Sequence, residues 1–200
     1  MRIIREQTAA VLVDVQDRLF PHMFERDTLQ HNLSILIRGL EVLDIPLLVT
    51  QQYTKGLGPT IPSIRETLGW AADPGSTPTE KPSVGTPSVA KPYIEKIAFS
   101  CWDEPAFRQA FTALDRPRVL LAGIESHVCV LQTAIDLNEA GFTPIVIENC
   151  TSSRRETDKR VAFLRLQAEG ILVSTYESIL FELAREAGSD TFRAVSRLVK

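Results

Sequence analysis

Three side chains of this sequence could share one chemical step: Asp14, Lys96 and Cys129. Asp14 ends the first apolar run of the chain, Lys96 lies near the end of a middle run, and Cys129 stands in the first turn of a predicted helix. A carboxylate can remove the proton of a thiol, and an ammonium group beside them can stabilise the charges. If these three residues meet in the fold, they form a nucleophile with its base and a cation.

The position of Cys129 favours chemistry over packing. Unpaired backbone N–H groups and the positive end of a helix dipole stabilise a thiolate, so we expect a reactive thiol there. The alternative is an inert cysteine that packs on the sheet. Cys101 and Cys150 lie just beyond other predicted strands and are less favoured as nucleophiles.

Asp14 and Lys96 also have ordinary explanations when each is taken alone. A carboxylate after a strand often caps the following turn, and a lysine at a strand end usually reaches water. A lysine among apolar neighbours needs a charged partner, and Asp14 would supply one. Gln16, two residues beyond Asp14, is predicted to orient either Asp14 or the substrate.

Apolar runs alternate with helical patterns along the chain, which predicts an α/β fold with a doubly wound parallel sheet. In such a sheet, ligands bind outside the carboxyl ends of the strands, where neighbouring connections run to opposite faces. The predicted strands are 8–13, 47–50, 93–98, 118–123, 144–147 and 171–174. The first predicted helix is the stretch in which leucines and isoleucines recur at helical spacing from Leu29 to Leu40. Later predicted helices are 128–140, 156–169, 177–186 and 191–198. Asp14, Lys96 and Cys129 all fall at that carboxyl edge.

Residues 54–92 interrupt the alternation with seven prolines and five glycines. No long regular element fits this segment, and long connections in compact domains usually form lids or contacts. We predict a lid or an oligomer interface within a single domain that spans residues 1–200. Disorder is the alternative, although Ile61, Ile64, Leu68 and Trp70 give the segment apolar groups to bury.

The overall composition narrows the class of partner. With a formal net charge of −3, the chain has no basic field to attract nucleic acid or an anionic membrane surface. The start of the chain has no apolar run long enough for a signal peptide or a membrane span, which predicts a cytoplasmic protein. Three cysteines without CxxC or Cys/His spacing predict reduced thiols and no zinc site. We therefore expect a small-molecule substrate and no cofactor.

Three motifs resemble the isochorismatase-like cysteine hydrolases in order and spacing, and the resemblance is nearest to the short isochorismatase-domain-containing proteins. They are Asp-Val-Gln at 14–16, Glu-Lys-Ile-Ala-Phe-Ser at 95–100, and Gly-Ile-Glu-Ser-His-Val-Cys-Val-Leu-Gln-Thr-Ala at 123–134. The resemblance implies a three-layer α/β/α sandwich around a six-stranded parallel sheet of order 3-2-1-4-5-6. It also implies that Asp14 is the general base, Lys96 the family's lysine and Cys129 the nucleophile.

Two further implications concern the backbone and the assembly. Members of the family have a cis peptide bond before the nucleophile's helix, which by position joins Ile124 to Glu125 here. That bond would direct a backbone N–H, with that of Cys129, into an oxyanion hole. Family members commonly assemble, so a homo-oligomer is expected. Nicotinamidase-like members bind a metal through histidines after strand two, but this chain reads Thr-Gln-Gln-Tyr at 50–53, so no metal is expected.

Several residues near the strand ends are predicted to line the substrate pocket. The aromatic candidates are Phe20, Tyr53, Phe99 and Trp102, each of which could equally belong to the core. His127 is either a substrate contact or a polar residue of the first helical turn.

The thiol favours hydrolysis of an amide or a related C–N bond through a covalent thioester. Isochorismate hydrolases themselves cleave a vinyl ether without a thiol nucleophile, so a second hypothesis has Asp14 as the acid and Cys129 as a bystander. A third hypothesis is an interaction protein that has kept the fold without catalysis.

Overall fold

The computed structural model describes residues 1–70 and 93–200, and in it six parallel strands form one sheet of order β3-β2-β1-β4-β5-β6. The strands are β1 Thr8–Val13, β2 Leu47–Gln52, β3 Ile94–Lys96, β4 Arg118–Ile124, β5 Thr143–Ser152 and β6 Leu172–Ser174. This order and direction confirm the predicted fold class. Strand β1 is central and buried along its whole length, as its uninterrupted apolar sequence predicts.

Helices cover both faces of the sheet. They are α1 Arg26–Val42, α2 Thr54–Leu57, α3 Pro62–Thr67, α4 Pro105–Thr112, α5 Leu131–Glu139, α6 Glu156–Ala168, α7 Tyr176–Ala184 and α8 Asp190–Leu198. Alternate residues of β1 point to opposite sides, so Ala10 and Leu12 join the core under α1, α7 and α8, whereas Val11 and Val13 join the core under α4, α5 and α6. Among the residues that the structure describes, no helix is long and apolar enough to cross a membrane.

Most of the predicted bounds agree with the structure to within two residues, and three elements differ for a local reason. Strand β3 is shorter than 93–98 because, within residues 1–70 and 93–200, this edge strand pairs with β2 alone, over three residues. Strand β5 runs past the predicted end at 147, since a shift of register against β4 lets the polar residues up to Ser152 keep pairing. The helix expected from residue 128 begins instead with a π-helical turn, Ser126–Val130, and becomes α-helical at Leu131.

Gly123 permits a close approach of β4 to β1 at the functional edge. It has a φ of +115°, and a Cβ atom there would lie 2.1 Å from the carbonyl oxygen of Val13. Only glycine fits this contact without moving a backbone. The residue after Val13 is Asp14, so the contact holds the end of β4 beside the carboxylate.

The predicted lid or interface at 54–92 is described only in part, because residues 71–92 lie outside the described residues. The first part contains the short helices α2 and α3, although no long element was expected there. Ile61 and Ile64 are buried in the core on the α1 side. The first part of the segment therefore packs as core, and Leu57 reaches the pocket described below.

Candidate active site

Asp14, Lys96 and Cys129 come together at the carboxyl edge, between β1 and β4. Asp14 follows β1 with a φ of 51°, a left-handed conformation that aspartate tolerates better than most residues. Its side chain is buried, and the Lys96 Nζ lies 2.6 Å from its Oδ2. Cys129 is 6% exposed and lines the same pocket as Asp14, whose charge influences the pKa of its thiol. The three predicted residues thus share one site.

Lys96 is held by a full set of acceptors. Besides Asp14, its Nζ donates to Gln52 Oε1 at 2.7 Å and to the carbonyl oxygen of Phe99 at 3.0 Å. Burial alone lowers the pKa of this ammonium group, but the charge of Asp14, to which Cys101 and Cys129 would add if they ionised, outweighs burial, and the pKa is raised above 10.5. Lys96 is therefore a fixed cation at neutral pH and has no proton to give.

Thr50 fixes the other oxygen of Asp14. Its hydroxyl donates to Asp14 Oδ1 at 2.8 Å, and the backbone N–H of Asp14 donates to the carbonyl oxygen of Thr50 at 3.3 Å. Both oxygens of the carboxylate thus have partners, one neutral and one charged. The carboxylate cannot rotate without breaking one of these contacts.

The pKa of Cys129 moves opposite to the direction expected from a helix terminus. Burial raises the pKa of the thiol, and the charge of Asp14 raises it further; the attraction of Lys96 opposes both, and the hydrogen bond to Asp14 adds to the rise. The burial of the sulfur and the neighbouring carboxylate of Asp14 oppose the effect of the helix dipole. At rest Cys129 is a neutral thiol.

The other two cysteines are also buried thiols. Burial and then the charge of Asp14 raise the pKa of Cys101 to about 11, and Thr50 lies 3.8 Å from its sulfur. Cys150 belongs to the core on the opposite face of the sheet, where burial raises the pKa of its thiol.

A pocket of about 200 Å³ opens onto Asp14 and Cys129. Its other walls combine apolar side chains with three polar ones: Leu19, Leu57, Phe99, Val128, Gln52, Glu125 and Arg154. Phe99 is 55% exposed and forms part of the mouth. The pocket suits a small molecule with one apolar side and a polar end.

Four other predicted residues lie outside this pocket lining. Phe20 is a core residue. Tyr53 is exposed on the surface and lies against Gly56. Trp102 packs edge-on against Phe142 on the α5 side. His127 is half-buried and its Nδ1 lies 2.9 Å from Ser153 Oγ.

Gln16 does not orient Asp14, because its amide is engaged elsewhere. Its Nε2 donates to the carbonyl oxygens of Gln52 and Gly58, and its Oε1 accepts from the backbone N–H of Gln52. These bonds join the loop after β1 to the end of β2. Gln16 therefore supports the pocket wall from behind.

The peptide bond between Ile124 and Glu125 is cis, as the resemblance implied. The backbone N–H groups of Val128 and Val130 both donate to the carbonyl oxygen of Glu125, at 3.1 and 3.2 Å. These bonds form the π-helical turn that carries Cys129. The oxyanion role of Glu125 and Cys129 stays a prediction.

Sequence reasoning missed several residues of the site, and two of them had a usable signal. Thr50 ends the predicted second strand and Gln52 ends the observed one, and the rule that selected Asp14 also applies to them. Arg154 had no such signal, because the predicted strand ended at residue 147. Across residues 1–70 and 93–200, no cluster of three or more histidine, cysteine, aspartate or glutamate side chains is arranged to hold a metal ion.

Comparison with known proteins shows to which protein family this fold belongs. The model of the isochorismatase domain matches residues 8–178, which is most of the chain. The chain belongs to the isochorismatase family. The family assignment confirms the resemblance drawn from the three motifs.

Two relatives match over essentially the whole chain. A secreted isochorismatase effector of Phytophthora sojae is 30% identical over 200 residues, covering 100% of this chain and 87% of its own length. The isochorismatase domain-containing protein 2 of Danio rerio is 29% identical over 198 residues, covering 99% of this chain and 89% of its own length.

Two solved structures share the isochorismatase-family fold. One, described as the MAR1 ribonuclease of Caenorhabditis elegans, is 30% identical with a TM-score of 0.82, covering 100% of this chain and 92% of that one. The other, the YcaC product of Escherichia coli, is described as an octameric hydrolase of unknown specificity. It is 22% identical with a TM-score of 0.83, covering 99% of this chain and 89% of that one, and it supports the fold alone.

Replacing Lys96 by methionine in this isochorismatase-family site should strongly destabilise the fold. The Asp14 carboxylate would then be buried without a countercharge. An unpaired buried charge of this kind typically lowers the free energy of unfolding by about 3 to 5 kcal/mol. Because the pKa of Lys96 is raised above 10.5, the contribution of the ion pair is complete at neutral pH and is lost only as the pH rises through that raised value. The deficit should therefore stay constant between about pH 6 and 9 in urea denaturation.

The double variant Lys96→Met/Asp14→Asn supplies the control. It leaves no unpaired charge, so it should recover part of the lost stability. A Lys96→Met protein that unfolds at the wild-type urea concentration would contradict the buried ion pair.

Proposed function

We propose that this chain is a cysteine-dependent hydrolase that cleaves an amide or related C–N bond of a small molecule through a covalent thioester. The observation that carries the proposal is that Asp14, which is ion-paired with the buried Lys96 ammonium group, lines the same pocket as the Cys129 thiol. A buried thiol beside a carboxylate is a nucleophile beside its base.

The resting protonation state sets the first step. Cys129 holds its proton until its sulfur bonds to the carbonyl carbon, and at that stage Asp14 takes the proton. The charge that develops on the carbonyl oxygen is bound by backbone N–H groups, for which we propose those of Glu125 and Cys129. The C–N bond then breaks, and Asp14 returns the proton to the departing amine or ammonia.

The second half of the cycle releases the acid. Asp14 takes a proton from water, and the water oxygen attacks the thioester carbon. The C–S bond then breaks, and Asp14 gives the proton to the departing sulfur, so that the carboxylic acid and the thiol of Cys129 result. Lys96 keeps its proton throughout, since its Nζ donates to Asp14, Gln52 and the Phe99 carbonyl oxygen. Its role is electrostatic and positional.

One observation is also compatible with a second reaction. Cys129 is a neutral thiol at rest, which a vinyl-ether hydrolase with Asp14 as its acid would tolerate equally well. In that reaction no covalent intermediate forms on sulfur. The non-catalytic hypothesis, by contrast, predicts that the Cys129 thiol does not react even when an electrophile is placed in the pocket.

The remaining expectations are proposals about the setting of the reaction. We propose a homo-oligomer, which the octamer described for the E. coli protein supports, and a cytoplasmic location, although the P. sojae relative is described as secreted. The C. elegans structure is described as a ribonuclease. For this chain we propose a small-molecule substrate, because a net charge of −3 offers no attraction for phosphates.

The direct test is to trap the thioester. The protein is mixed with a panel of small primary amides, quenched in acid within milliseconds to seconds, and analysed by intact and peptide mass spectrometry while ammonia release is followed. We expect an acyl group on the peptide that carries Cys129, with one ammonia released per acyl group formed. Turnover without any acylated Cys129, or an acyl group on Cys101 instead, would contradict the mechanism.

A further inference from the structure

A second charged pair lines the pocket beyond the catalytic residues. Glu125, whose side chain is 8% exposed, follows directly after β4, and Arg154 follows β5 with a side chain that is 59% exposed. Arg154 donates to Glu125 Oε1 twice, from its backbone N–H at 3.2 Å and from its Nε at 3.0 Å. Both residues line the same pocket as Cys129.

The two bonds from Arg154 hold the Glu125 carboxylate by one oxygen. Within residues 1–70 and 93–200, no donor bonds to Oε2, the second oxygen. A carboxylate oxygen can accept about two hydrogen bonds, so Oε2 can accept from a ligand that enters the pocket. Oε2 is thus an anchored acceptor with unused capacity.

The other buried charges of this site belong to the proposed catalytic residues. Asp14 Oδ1 accepts from Thr50, Asp14 Oδ2 is ion-paired with Lys96, and the Lys96 ammonium group donates to Gln52. Arg154 is mostly in solvent, where an ionic contact with a ligand is screened and weak. Among the buried carboxylates of the described chain that line the pocket, that of Glu125 is the one that the proposed catalysis does not use.

We propose that Glu125 determines specificity by accepting a charged N–H donor from the substrate, so that the preferred substrate is a small amide with an ammonium group at its far end. This inference rests on the proposed function, since it names the substrate class of the same pocket. The amide carbon would face Cys129 while the ammonium group reaches Oε2. Glu125 would bind the part of the substrate that does not react, without contributing to the proton transfers.

The test uses three chloroacetamides of similar size that alkylate a thiol. Aminoethyl chloroacetamide carries an ammonium group, propyl chloroacetamide is its neutral analogue, and chloroacetylglycine carries a carboxylate. In each case the sulfur of Cys129 bonds to the methylene carbon, chloride departs and the thiol proton is lost. Rates are divided by those measured with glutathione, which removes the intrinsic reactivity of each probe.

In the wild-type protein the ammonium probe should react faster than the neutral one by roughly tenfold to a hundredfold, the usual gain from a charge-assisted hydrogen bond. Glu125→Gln should abolish that preference, because its amide oxygen can still accept from Arg154 while an NH₂ donor replaces Oε2. Asp27→Asn removes the same charge from an exposed site on α1 and should keep the wild-type preference.

Equal normalised rates for the ammonium and neutral probes in the wild-type protein would overturn the proposal, and so would a faster carboxylate probe, which would point to Arg154. If no probe alkylates Cys129, the nucleophile is in doubt, and a binding measurement decides on Glu125 separately. Ligand-observed NMR with the Cys129→Ala protein then compares aminobutanamide with pentanamide. Tighter binding of aminobutanamide that disappears with Glu125→Gln supports the specificity site, and equal binding overturns it.

Discussion

Replacement of Cys129 by alanine should abolish amide turnover, with a loss of about four to six orders of magnitude. The sulfur is the atom that bonds to the substrate carbon, and none of the other groups that line the pocket in the described chain is a thiol or hydroxyl that could replace it. The loss of one buried sulfur costs only about 1 kcal/mol of stability, so the fold should persist. Steady-state ammonia release and circular dichroism, measured on the same preparation, separate the two effects.

Cys150→Ala is the matched control for this variant. Cys150 is also a buried free thiol, 0% exposed against 6% for Cys129, but it belongs to the core on the opposite face of the sheet. We expect a similar loss of stability and unchanged turnover. If Cys129→Ala keeps most of the activity, the thioester mechanism is wrong and the vinyl-ether reaction with Asp14 as acid becomes the leading explanation.

Asp14→Asn should separate the reactivity of the thiol from catalysis. Turnover should fall by about 10² to 10⁴-fold, because no group remains to take the thiol proton and return it to the leaving amine. Alkylation of Cys129 should instead become faster at neutral pH. Burial raises the pKa of this thiol and the Asp14 charge raises it further, while Lys96 lowers it. Removal of the Asp14 charge therefore lowers the pKa and increases the thiolate fraction at a given pH.

The measurement is the rate of iodoacetamide alkylation of Cys129 against pH, by peptide mass mapping. The Asp14→Asn profile should lie at lower pH than the wild-type profile. Asp17→Asn, which removes the same charge three residues later on the half-buried loop, should leave the profile and the turnover unchanged. A profile that moves to higher pH with Asp14→Asn would show that the carboxylate stabilises the thiolate and is not the charge that opposes it.

Much of this molecule follows from the order of its residues. Apolar runs that stop at a polar residue identified the central strands, and β1 has the bounds that its composition predicts. The rule that ligands bind at the carboxyl ends of parallel strands selected Asp14, Lys96 and Cys129 without any knowledge of distances. These inferences succeed because strand burial and strand direction are encoded locally, in the types and spacing of neighbouring side chains.

Two properties of the site follow only from the tertiary structure: the direction in which the pKa of Cys129 is shifted, and the set of residues that line the pocket. The position of Cys129 in the chain predicted a thiolate, yet desolvation and the charge of Asp14, which lies more than a hundred residues away in the sequence, keep its proton in place. Phe20 and Trp102 stand close to strand ends but turn into the two cores, whereas Arg154 reaches the pocket because β5 extends past its apolar part. The pKa of a side chain and the lining of a pocket both depend on residues that are distant in the sequence and close in space. A local sequence pattern therefore does not predict them.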